Sequence, residues 1–270
     1  MSIERTSASA LDYLPCRYGN SRLLFRGPRR ALDGPYTLFL GDSLTYGKFV
    51  VQPFPSLVEQ ALGRECINFG SLNAGIDSFV HDADVMNAAN GAEVTVLQIL
   101  GAQNLSNRFY RVHPRRNDRF LSPSPMLQAA FRGVDFTEIN FNKHLLSKLQ
   151  TVSPDRFDIV RTELQQAWIA RMKLLLSNIQ SSVVLLWLRS SQAGSELGDE
   201  PLLVDRGMID AVRDKVLDVV ELDLGALNNP EDMEGMHFDP MDLPAAMHLP
   251  GPMNHARIAS HVATALRAIS

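Results

Sequence analysis

Short apolar runs along the chain alternate with segments in which apolar positions recur every three to four residues. That is the pattern of parallel strands buried on both faces and joined by helices. Tyr36 to Leu40 reads as a β-rich strand ending at Gly41, Glu65 to Phe69 as a second, and Glu93 to Leu100 as a third that ends at Gly101. Ser182 to Leu188 and Val219 to Leu224 supply two more. Between them, helices are expected over Pro53 to Leu62, His81 to Ala89, Pro154 to Gln180, Val204 to Val216 and Pro252 to Ile269. The longest follows from the helical spacing of Phe157, Val160, Leu164, Trp168, Met172, Leu175 and Ile179. Five strands separated by helices predict an α/β fold, a doubly wound three-layer α/β/α sandwich around a five-stranded parallel sheet. Residues 1–270 read as one domain, with an N-terminal extension over 1–34. A long irregular insertion over about 101–153, rich in Arg, Asn, Pro and Phe, completes it. Loops of that length in compact domains tend to be functional.

Composition narrows the class. Of 270 residues, 45% are hydrophobic and 21% charged, and 26 basic against 30 acidic residues leave a formal charge of −4. This is ordinary globular composition, with enough chain to bury a full core. The N-terminal Met1-Ser2-Ile3-Glu4-Arg5 lacks the basic-then-apolar pattern of a secretory signal, and no run of eighteen apolar residues occurs. A cytoplasmic protein without a membrane span is the expectation. Cys16 and Cys66 fit no metal-ligand or C-x-x-C spacing and read as reduced thiols. No cofactor or metal site is expected.

Ligands of open α/β sheets gather beyond the carboxyl ends of the strands. The first such end is Leu38-Phe39-Leu40-Gly41-Asp42-Ser43-Leu44-Thr45-Tyr46-Gly47. A serine that leaves a strand and enters a helix exposes its hydroxyl beside helix N–H groups able to meet a developing oxyanion. The plainer reading is that Ser43 caps the helix. A phosphate loop, which would make the chain a nucleotide-binding transferase, fits poorly. Five residues rather than four separate Gly41 from Gly47, and Phe49 follows Lys48 where Ser or Thr is needed. The G-x-S-x-G nucleophile pattern is absent.

The Gly41-Asp42-Ser43-Leu44 block resembles, letter for letter, the first signature of the SGNH (GDSL) hydrolases. The resemblance implies an SGNH, flavodoxin-like architecture, Ser43 as nucleophile and Asp42 as a structural helper. It also implies an oxyanion hole built from the Ser43 amide, a glycine after the second strand and an asparagine after the third. Asn68-Phe69-Gly70-Ser71-Leu72-Asn73-Ala74-Gly75 is similar to the second block and points to Gly75, with Gly70 as the alternative. Gly101-Ala102-Gln103-Asn104 is similar to the third, with one extra residue and no following Asp, and points to Asn104.

A serine hydroxyl needs a positioned base, most often a histidine oriented by a carboxylate. The family carries both in D-x-x-H before its final helix, and no D-x-x-H occurs in this chain. His248 stands where that histidine is expected, with Asp242 or Asp239 as the orienting acid. His237, with Glu234 three residues before it, comes second. His255, matching the block's second, non-catalytic histidine, comes third. A chain lacking a triad would instead be a silent binding module on an enzyme scaffold.

Two arginine clusters stand out against the acidic balance. Arg17, Arg22, Arg26, Arg29 and Arg30 precede the first strand, and Arg108, Arg111, Arg115, Arg116 and Arg119 follow Asn104. Guanidinium forks suit carboxylate, phosphate or sulfate, although a solvated face or ion pairing accounts for such clusters equally well. The second cluster begins four residues after Asn104, which makes it the expected rim of the Ser43 pocket and the expected substrate-binding group. No nucleic-acid-binding motif is present. These readings predict an esterase or acyltransferase acting on an anionic small molecule.

Overall fold

A computed structural model describes residues 11–191 and 196–269. The reading of Met1 to Arg5, and the part of the extension before residue 11, lie outside the described residues. Strands β1 (Thr37–Gly41), β2 (Cys66–Gly70), β3 (Val94–Gln98), β6 (Ser182–Ser191) and β7 (Asp218–Ala226) form one sheet in the order β2-β1-β3-β6-β7. Every pairing in it is parallel. The chain runs outward from β1 to β2 and then returns to place β3 on the other side of β1. That reversal opens a crevice between the carboxyl ends of β1 and β3, where doubly wound sheets hold their ligands.

Alternation along each strand assigns the two faces. Leu38 and Leu40 of β1, Leu97 of β3, and Val183, Leu185 and Trp187 of β6 join one core. Helices α3 (Ile76–Val80), α4 (Ala83–Gly91) and α7 (Pro154–Asn178) cover it. The intervening Phe39, Val96, Val184, Leu186 and Leu188 face the opposite core beneath α2 (Phe54–Leu62) and α11 (Pro252–Ala268). Both faces are covered, so β1 is buried along its whole length and reads as an unbroken apolar run.

Two expectations change. Residues 101–153 are not an irregular loop. They fold into a hairpin, β4 (Tyr110–His113) with β5 (Arg116–Pro123), then α5 (Pro125–Ala130) and α6 (Asn142–Val152). Register shifts on both sides of Val112 break the two-residue alternation that would announce the hairpin. Helix α6 begins after Phe141 without a side-chain cap, so no start signal precedes its buried Leu145, Leu146 and Leu149. The second change concerns the helix expected over Val204 to Val216. It shrinks to α8 (Arg206–Asp210) and a 3-10 turn at Arg213–Lys215, because Met208, Ile209 and Val212 bury themselves within two short turns. A short α3 precedes α4, which starts two residues later than expected. Cys16 and Cys66 are free thiols.

Candidate active site

Ser43 opens α1 (Ser43–Tyr46) directly beyond β1, half-buried, with Asp42 as N-cap. The Asp42 carboxylate accepts the Leu44 N–H and the Gln98 side-chain amide, both at 2.9 Å. Gln98, at the end of β3, returns its carbonyl oxygen to the Asp42 N–H at 3.2 Å and the Thr45 hydroxyl at 2.6 Å. The turn is thus braced across the crevice by one glutamine. Burial pushes the Asp42 carboxyl above the ordinary carboxylate range. Gly41 is required by closeness: a Cβ there would meet Thr45 Oγ1 at 2.1 Å and Gln98 Oε1 at 2.4 Å.

The Ser43 hydroxyl is held by Asn73. The Asn73 N–H donates to Oγ at 3.0 Å, and Oγ donates to Asn73 Oδ1 at 3.3 Å. Asn73 adopts φ +57°, a left-handed conformation uncommon for a side chain other than glycine. Such outliers cluster at functional sites.

Gly75 and Asn104 are brought together: a Cβ on Gly75 would lie 2.1 Å from the Asn104 carbonyl. The Gly75 N–H is nevertheless engaged, because Asn117 Oδ1 accepts it at 2.9 Å along with the Ser78 N–H at 3.2 Å and the Ser78 hydroxyl at 2.7 Å. The alternative, Gly70, donates to Asn68 Oδ1. Neither glycine leaves a free donor.

Asn104 does. Asn142, fully buried, donates its side-chain amide to the Asn117 carbonyl and to Asn104 Oδ1. A carbonyl only accepts, so Asn142 must present its NH2 group there, and Asn104 must meet it with Oδ1. The Asn104 NH2 group is left without an acceptor among the described residues, as is the Ser43 N–H. Asn73, Asn117, Asn142 and Gln98 were not anticipated from the sequence. Gln98 sits at a strand end and was findable, whereas Asn117 and Asn142 lie in the insertion with no motif around them.

The expected base and acid stand apart from the hydroxyl. No described histidine hydrogen-bonds to Ser43. His248 is exposed, on the turn that follows α10 (Leu243–Ala246), and makes no bond to Asp242. Asp242 instead pairs with Lys48 at 3.9 Å. Ala246 and Leu249 pack with Phe49 and Val50, just past α1, and the His237 N–H donates to the Phe49 carbonyl at 2.8 Å. His255 is buried, its Nδ1 accepting the Phe54 N–H at 3.0 Å, and burial pulls its pKa down to about 3. It belongs to the packing of α2 on α11.

Of the five arginines after Asn104, Arg108 is tied to the buried Glu163 of α7, and Arg119 lies 4.0 Å over the Phe141 ring. The side chains of Arg111, Arg115 and Arg116 are exposed; Arg116 interacts with the Asp118 carboxylate, while Arg111 and Arg115 have no side-chain partner among the described residues. Arg115 lines a cleft of about 710 Å³ whose walls include Ser78 and Asn117 but not Ser43.

A parallel doubly wound sheet with a serine at its β1/β3 switch point defines the class of protein to which the geometry belongs. The whole chain, residues 1–270, matches the model of the family described as a domain of unknown function, DUF6473, and the protein belongs to that family. No curated protein matches the sequence. Among solved structures, the chain is similar to the lipase Lip_vut3 from a goat rumen metagenome at 11% identity and a TM-score of 0.41. That alignment covers 86% of this chain and 97% of the other. It is also similar to a protein assigned to the G-D-S-L lipolytic family from Desulfitobacterium hafniense DCB-2, at 14% identity and a TM-score of 0.36, over 85% and 98% of the two chains. Among the described residues no helix is long and apolar enough to cross a membrane, and no group of three His, Cys, Asp or Glu side chains is placed to hold a metal ion.

Proposed function

We propose that the protein is a serine-dependent ester hydrolase or acyltransferase of the SGNH kind, with Ser43 as nucleophile. The observation that carries the reading is the Asn73 N–H aimed at the Ser43 hydroxyl at 3.0 Å, beside an Asn104 amide whose NH2 group is left open. Ser43 Oγ attacks the acyl carbon and its proton passes to His248. The resulting oxyanion is received by the Ser43 N–H and the Asn104 NH2 group, with the Asn73 N–H beside them in place of the engaged Gly75. Preorganised donors of this kind each contribute roughly a hundredfold or more in rate. Collapse returns the proton to the leaving alcohol, and water or an acceptor alcohol then releases the acyl group.

His248 and Asp242 ride on the segment that packs against Phe49 and Val50, which supports their assignment as base and orienting acid over the buried His255. In this role Asp242 exchanges Lys48 for His248. The exposed Arg111, without a side-chain partner among the described residues, supports an anionic substrate.

Intact-mass labelling with a fluorophosphonate tests the nucleophile. One adduct is expected, on Ser43, absent from Ser43→Ala and slowed far more by His248→Ala than by His237→Ala or His255→Ala. A wild-type protein that takes no adduct would establish the second reading, a silent module that binds an anionic ligand. That reading draws on the finding that no histidine among the described residues is hydrogen-bonded to Ser43.

A further inference from the structure

The two arginine clusters, some ninety residues apart in sequence, meet at one place. Arg22 of the extension and Arg115 at the tip of the β4–β5 hairpin line the same cleft of about 710 Å³. That volume lies within the range of small-molecule sites. Both side chains are exposed and neither has an ionic or hydrogen-bonded partner among the described residues.

The acids that share the cleft all hold hydrogen bonds, and Asp77 also holds a cation. Asp77 accepts the Ser106 N–H at 2.9 Å and pairs with Arg171 at 2.8 Å. Asp82 accepts the Ser21 hydroxyl at 2.7 Å and the Asp84 and Val85 N–H groups at the start of α4. Asp84 accepts the Asn20 N–H at 2.8 Å. With Arg171 paired to Asp77, the charges left without an ion pair are the Arg22 and Arg115 guanidinium groups and the Asp82 and Asp84 carboxylates, which hold hydrogen bonds from neutral donors only. Beside them is His81, exposed and likewise without a partner. The Asp82 and Asp84 carboxylates keep unused lone pairs in the same cleft, able to accept from hydroxyl groups of a ligand.

We propose that this cleft is a binding site, separate from Ser43, for the phosphate monoester of a small polyhydroxylated molecule. The phosphate sits between Arg22 and Arg115 and the hydroxyl-bearing body lies along Asp82 and Asp84. Paired forks match a tetrahedral dianion better than a single carboxylate does. Ser78 and Asn117 form a wall of this cleft, while Asn117 also holds the Gly75 N–H. A ligand here therefore touches the back of the Ser43 region without entering it.

The test is titration calorimetry of the full chain with ribose 5-phosphate, ribose and inorganic phosphate. Saturable binding of ribose 5-phosphate is expected, with none for ribose and at least tenfold weaker binding for inorganic phosphate. Arg22→Gln and Arg115→Gln should each weaken the ester at least tenfold. Arg132→Gln, exposed and outside the cleft lining, should change it less than twofold, and Ser43→Ala should leave it unchanged. No saturable binding, equal affinity for inorganic phosphate, an equal loss in Arg132→Gln, or loss in Ser43→Ala would each overturn the proposal. Failure of fluorophosphonate labelling at Ser43 would not bear on it.

Discussion

His255 makes the stability of the fold sensitive to acid in a calculable way. Its ring is 1% exposed, its Nδ1 accepts the Phe54 N–H at 3.0 Å, and its Nε2 is buried without a partner. A second proton would have to sit on Nδ1, where it would face another donor. Burial first, and the Arg26 charge second, lower the pKa from 6.5 to about 3. The sign follows from which state binds the proton. Above the unfolded value neither state is protonated and nothing is lost. As pH falls below it, the unfolded chain takes a proton that the native ring refuses. Stability then declines by about 1.4 kcal/mol per pH unit until pH reaches the native value. Between pH 7 and about pH 4.5 the loss from this one group is about 2–3 kcal/mol. Urea unfolding of the wild type and of His255→Gln at both pH values isolates it, because every other titrating group is common to the two proteins. The variant starts less stable but should lose about 2–3 kcal/mol less on acidification. Parallel losses, within about 0.5 kcal/mol, would refute the assignment of a neutral native imidazole.

Arg26 clamps the loop after α1, donating to the carbonyls of Tyr46, Gly47, Val50 and Val51 at 2.6 to 3.2 Å. Arg26→Gln should cost about 2–3 kcal/mol in urea unfolding and slow fluorophosphonate labelling of Ser43; an unchanged midpoint would contradict the clamp. Asn117→Ala strips the acceptor from three donors around Gly75 and Ser78 and should destabilise the protein by about 3 kcal/mol, read by the same unfolding measurement. Burial pushes the Cys66 thiol up to about 12 and also raises Cys16, so both should resist alkylation by iodoacetamide at pH 8 until urea is added.

The sheet was legible because its signal is one-dimensional. Each strand of the main sheet is an apolar run bounded by glycine or polar residues, and the five runs lie within a few positions of β1, β2, β3, β6 and β7. The long helix was equally plain, since its buried side chains repeat at helical spacing and a proline opens it. The hairpin and α6 escaped because their burial is not carried by periodicity. Phe109, Tyr110, Val112 and Phe120 are interrupted by arginines whose charged ends stay in solvent while the backbone bulges. In the candidate site, Ser43 and Asn104 could be placed because each follows a strand end. What each donor does could not be read, because that depends on partners dozens of residues away in sequence. The Gly75 N–H faces Asn117, 42 positions on, and Asn104 is turned by Asn142, 38 positions on.

Those separations change the reading of the insertion. A lid would fold and open without disturbing the strand ends, but Asn117 and Asn142 are completely buried and their hydrogen bonds run into the strand-end loops themselves. The Asn117 N–H donates to the Asn73 carbonyl at 3.1 Å, so the same residue that fixes Gly75 also fixes the backbone whose N–H meets the Ser43 hydroxyl. One asparagine from β5 thereby couples the second strand end to the first. A second, opening α6, orients the amide at the third. Removing either would leave buried donors or acceptors unmet, which costs more than the bonds contribute. The insertion is therefore the back wall of the candidate site: it sets which N–H groups beside Ser43 remain open and which are spent holding the loops in place.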